Sequence, residues 1–92
     1  MKAQVIFYKQ KSKNVFIRIT EFPDNRTAVH YTANGLGIVS QFKNNESLNT
    51  IIDKTIKEVD SFINTPNQEY AKRKALEWIK QELYNLKQPT LF

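Results

Sequence analysis

The first half of the chain alternates and the second half repeats. Val15, Ile17 and Ile19 are interleaved with Phe16, Arg18 and Thr20, a period of two that puts unlike side chains on opposite faces of a strand. The short apolar and aromatic run Gln4 to Tyr8 predicts an earlier strand, and Lys9-Gln10-Lys11-Ser12-Lys13-Asn14 predicts a polar turn between the two. Pro23-Asp24-Asn25 predicts a second turn, because Pro presets φ while Asp and Asn tolerate tight backbone. Ala28 to Thr32 reads as a third strand. Asn34-Gly35 is the strongest hairpin signal in the chain, since both central residues of a two-residue loop need positive φ. Leu36 to Phe42 follows as a fourth strand.

After residue 46 the period changes. Ser47 is suited to cap a helix N-terminus. Beyond it Leu48, Ile51, Ile52, Ile56 or Thr55, Val59, Phe62 and Ile63 recur every three or four residues. Asn64-Thr65-Pro66-Asn67 breaks that helix. A second helix is expected from about Gln68 to Leu86, with Ala75, Leu76, Trp78, Ile79, Leu83 and Leu86 on one stripe and Lys74, Glu77 and Lys80 opposite. Pro89 cannot continue it well. Strands followed by helices imply an α+β fold: an antiparallel meander of three to four strands, then two helices packed on one sheet face. The expected organisation is a single domain over residues 1–87 and a C-terminal tail over 88–92.

Composition narrows the chemistry. The chain has 92 residues, 40% of them hydrophobic and 25% charged, enough for one domain with one modest core. It has no cysteine, which excludes disulfides, thiolate metal sites and thiol nucleophiles. A small secreted domain usually needs such staples, so the expected location is cytoplasmic. The apolar run near the N-terminus is too short for a leader and ends in lysines, and no run approaches a membrane span. The net charge of +5 suits an anionic partner.

Catalytic groups are scarce. His30 is the only histidine, in a strand beside Tyr31. Asp53, Glu58 and Asp60 alternate with Lys54 and Lys57 on the first helix, the pattern of a solvated charged face rather than a metal site. Asn34-Gly35-Leu36-Gly37 lacks the lysine and the following helix of a phosphate-binding loop. The expectation is a non-enzymatic protein with no metal, no cofactor, no small-molecule substrate and no membrane partner.

Three features point to binding instead. Phe16 and Arg18 point away from the helices if Val15, Ile17 and Ile19 point toward them. Tyr8 and Ile6 then share one face, and His30 and Thr32 form another short row. Aromatics interleaved with arginine on an open sheet are the chemistry of a stacking platform for single-stranded nucleic acid. Lys9, Lys11 and Lys13 on the first turn, with Arg26 near the next, are placed to follow phosphates. The expected nucleic-acid-binding residues are therefore Tyr8, Lys9, Lys11, Lys13, Phe16, Arg18 and Arg26.

The last five residues, Gln88-Pro89-Thr90-Leu91-Phe92, resemble the bacterial sliding-clamp-binding motif, in which a glutamine is followed shortly by Leu-Phe. The resemblance implies that Gln88 hydrogen-bonds at the rim of a clamp pocket while Leu91 and Phe92 fill its floor. Pro89 stands where that motif most often has leucine, which trades an apolar contact for stiffness. Together these features suggest a small basic accessory protein of bacterial DNA replication or repair. It would bind single-stranded DNA, the DNA sliding clamp through its tail, or both. The alternative is a phage or mobile-element protein that binds and inhibits or adapts a host protein, either the clamp itself or another host or replication protein.

Overall fold

Four strands and two helices follow one another in the computed structural model, which describes residues 2–43 and 46–87. They are β1 (Gln4–Ser12), β2 (Val15–Glu21), β3 (Arg26–Ala33), β4 (Leu36–Lys43), α1 (Leu48–Ile63) and α2 (Tyr70–Leu86). The strands form one antiparallel sheet in the order β1-β2-β3-β4, the expected meander followed by two helices.

The turns set the register. In the β2–β3 loop the Phe22 carbonyl accepts the Asn25 N–H at 3.2 Å, and the Phe22 N–H donates to the Arg26 carbonyl at 2.8 Å. Asn25 takes φ of 66°, the left-handed conformation that Asn tolerates. This loop puts Glu21 opposite Thr27 and so Arg18 opposite His30. In the β3–β4 loop Asn34 and Gly35 have φ of 49° and 101°, as a tight hairpin demands, and Ala33 faces Leu36. The Asn34 side-chain amide donates to the Ala71 carbonyl at 3.0 Å, tying this hairpin to the start of α2.

β1 departs from the pattern read from sequence. The segment expected as a long polar turn is mostly strand: β1 runs to Ser12 and only Lys13 and Asn14 turn. An edge strand exposes much of its surface, so polar residues suffice there, and they leave no apolar period to read. The register slips between Val5 and Phe7 and again between Gln10 and Ser12. Val5 therefore lies opposite Thr20 and Phe7 opposite Ile19. Ile6 falls at the slip, so simple alternation does not pair it with Tyr8.

The helices cover one sheet face. Val15, Ile17 and Ile19 of β2 and Val29, Tyr31 and Ala33 of β3 pack against Ile51, Ile52, Ile56 and Val59 of α1 and Ala75, Leu76, Ile79 and Leu83 of α2. Ile56 and Thr55 are both buried; the Thr55 hydroxyl donates to the Ile51 carbonyl at 2.9 Å, which removes the cost of burying it. Ser47 caps α1, accepting the Thr50 N–H at 3.1 Å. Glu58 is not part of a solvated face. Its carboxylate accepts the Tyr31 hydroxyl at 2.7 Å and the Ser40 hydroxyl at 3.0 and 3.1 Å. Burial first, then the adjacent Glu58 carboxylate, pushes the Tyr31 phenol far above its usual range. α1 is thus pinned to β3 and β4 by a polar contact inside an apolar layer. Among the described residues no helix is long and apolar enough to cross a membrane.

Candidate nucleic-acid interface

The sheet face away from the helices is built by the residues that alternate with the core positions. Across the strands these are Tyr8 and Gln10, then Phe16, Arg18 and Thr20, then Arg26, Ala28, His30 and Thr32, then Gly37, Val39, Gln41 and Lys43, as the register places them. None of these is an aspartate or glutamate. Of the chain's nine side-chain carboxylates, Glu21 is exposed at the end of β2, opposite Thr27 and out of step with Phe16, Arg18 and Thr20, while Glu46, Asp53, Asp60, Glu69, Glu77 and Glu82 pair with lysines. Each of these lysine-paired carboxylates lies on or beside the helices. Glu58 is taken by Tyr31 and Ser40, as above. Asp24 pairs with Arg26 at the rim, at 2.8 Å. That hydrogen bond holds the Asp24 carboxyl below its ordinary range. Among the described residues no carboxylate pairs with Arg18 or Lys43, so the positive charge these two bring to the open face is uncompensated.

Three rings surround Arg18. Tyr8 is its direct cross-strand partner on β1, and His30 its partner on β3. The Phe16 ring lies 6.0 Å from that of Tyr8 and 5.1 Å from that of His30, the latter edge-on at 83°. The first contact is tilted at 37°, and the edge-on second one suits the ring quadrupole. Phe16, Arg18 and His30 are half-buried, while Tyr8 is 50% exposed, so ring faces remain open to solvent. Arg18 Nη2 lies 2.9 Å from His30 Nδ1. A guanidinium has no acceptor, so Arg18 donates and Nδ1 is unprotonated. Burial first, and then the Arg18 charge, lowers the His30 pKa from 6.5.

The sign of the pH effect follows. A histidine whose folded pKa is depressed contributes stability that is present above the unfolded value of 6.5 and lost as pH falls through the folded value. Relative to a non-titrating His30→Gln variant, whose amide oxygen still accepts from Arg18, the wild-type chain should lose melting temperature as pH drops from about 7.5 to about 5. A constant difference between the two would show that His30 does not titrate there.

Four of the seven residues expected to bind nucleic acid share the open face, Tyr8, Phe16 and Arg18 in one cluster and Arg26 apart from them at the rim, opposite Lys43. Arg26 is restrained, donating to Asp24 at 2.8 Å and to Gln41 at 2.7 Å with its guanidinium over the Phe22 ring at 5.2 Å. Lys9 and Lys11 turn to the other side. Lys9 pairs with Glu82 of α2 at 3.1 Å, and the Lys11 ammonium sits 5.9 Å from the Trp78 ring centre. They fasten the edge strand to α2 instead of lining a track with Arg18. Lys13 stays exposed at the β1–β2 turn. Gln88, Leu91 and Phe92 lie outside the described residues.

His30 and Lys43 join the face without having been singled out as binding residues. The signal for His30 is the short β2–β3 loop, whose length fixes Arg18 opposite it. No pocket is found among the described residues, and no cluster of metal-binding side chains; the arrangement is a platform rather than a cleft. Comparison with family models, curated proteins and solved structures gave no match.

Proposed function

We propose that this protein is a small basic accessory factor of bacterial DNA replication or repair that binds single-stranded DNA on its open sheet face. The observation that carries the reading is the group of Tyr8, Phe16 and His30 about Arg18 on a face to which the strands contribute no carboxylate. Exposed aromatic faces stack on bases without regard to sequence, at about 1–3 kcal/mol per base. Arg18 and Lys43 supply charge for the backbone phosphates.

The choice of DNA, and of replication or repair, rests on the clamp-like pentapeptide Gln88-Pro89-Thr90-Leu91-Phe92. Leu91 and Phe92 bring about 3–6 kcal/mol of apolar burial to a foreign pocket before ordering costs. A platform and a tethering tail on one chain raise each other's effective concentration. In this reading the protein works without catalysis.

Fluorescence anisotropy of a labelled oligothymidine tests the platform. Binding should weaken linearly in log–log form with rising salt, at a slope of about −0.7 per phosphate contact. A salt-independent response, or no binding at low salt, contradicts it.

A further inference from the structure

We propose that two copies of this chain pair through β4, antiparallel and centred on Val39, to form one continuous eight-stranded sheet. The two outer strands of the sheet differ in kind. β1 breaks register twice, near Ile6 and near Lys11, and bulges of this sort turn an edge away from further pairing. β4 keeps perfect register with β3 from Leu36 to Lys43. It carries no proline and no carboxylate, and its one charge is Lys43 at the end. Those are the features that protect an edge, and β4 lacks them.

The free hydrogen-bonding groups are symmetric about Val39. A two-residue hairpin is closed by a pair that exchanges both backbone hydrogen bonds, here Ala33 with Leu36, and such pairs recur at every second residue. Leu36, Ile38, Ser40 and Phe42 thus bond to β3, and the N–H and C=O groups of Gly37, Val39 and Gln41 point outward. The next outward carbonyl, that of Lys43, is already occupied by the Glu46 N–H at 3.2 Å. The open stretch is therefore Gly37 to Gln41, with Val39 at its middle.

A two-fold axis at Val39 fits the side chains as well as the backbone. It sets Val39, 59% exposed, against its own copy on the open face, and Gly37 against Gln41. On the helix face it sets Leu36 against Phe42, two apolar side chains that the single chain buries only in part. Each Lys43 falls opposite Gly35 of the second copy, so no like charges meet. A contact of this kind is self-complementary and closes at two. It lays the two Arg18 clusters on one surface, although the pairing itself needs no nucleic acid.

The test uses the full chain, free of nucleic acid. Sedimentation equilibrium should give twice the 10.8 kDa chain mass. Val39→Pro removes an N–H that makes no bond to β3 or to any other described residue, and it should restore the single mass with the helical circular dichroism unchanged. The chain has no cysteine, so Val39→Cys introduces a lone thiol, about 5.5 Å in Cα separation from its copy, within disulfide range. Mild oxidation should link Val39→Cys into a dimer. Gln41→Cys, about 13 Å from its copy along the strands, should stay unlinked. A wild-type chain that remains monomeric at high concentration, or equal cross-linking of the two cysteine variants, overturns the proposal.

Discussion

Replacing Phe16 by alanine should lower the affinity for oligothymidine by about five- to 150-fold, the equivalent of one lost stacking contact of about 1–3 kcal/mol. Phe16 is the pivot of the platform, touching the rings of both Tyr8 and His30, so its removal takes away a base-stacking face and also the wall that orients two others. Arg18→Ala should act differently. It removes a charge, so affinity at low salt falls and the salt slope becomes shallower by about one phosphate's worth. The proper comparison is Tyr70→Ala: Tyr70 is 71% exposed on α2, in the layer that carries the ion pairs, and its loss should leave binding unchanged. Equal losses for Phe16→Ala and Tyr70→Ala would mean that binding is diffuse and does not belong to the sheet.

The second large effect is on stability. Glu58→Ala should cost about 1–3 kcal/mol, because the buried Tyr31 hydroxyl and the Ser40 hydroxyl lose their acceptor. In a domain of this size each kcal/mol is about 4–8 °C of melting temperature. Glu58→Gln keeps an acceptor and should cost less. Both variants, measured while folded, should bind oligothymidine like the wild type, since Glu58 acts on the helix side of the sheet. A Glu58→Ala chain as stable as the wild type would show that water replaces the carboxylate at no cost.

The two periods in the sequence were enough for the architecture, because a half-covered sheet and amphipathic helices write their burial directly into the order of residues. Val15, Ile17 and Ile19 point to the helices for that reason, and Phe16 and Arg18 away from them. β1 was less legible. Its Lys9 and Lys11 look like turn residues, yet they lie in an edge strand where Glu82 and Trp78 of α2 hold them. No local pattern encodes a partner more than sixty residues away. Glu58 misled for the same reason. On α1 alone it belongs to a charged stripe, and only the pairing of β3 with β4 sets Tyr31 and Ser40 beside it. The Arg18–His30 contact was half legible, since its ingredients are in the sequence but the register depends on Asn25 taking a positive φ.

Backbone amide NMR during an oligothymidine titration examines the sheet face itself. Resonances of Tyr8, Phe16, Arg18, His30 and Lys43 should shift together and saturate at one stoichiometry, while those on the solvent side of α1 and α2 stay in place. Shifts centred on the helices, or none at all at low salt, would contradict a nucleic-acid platform on this sheet.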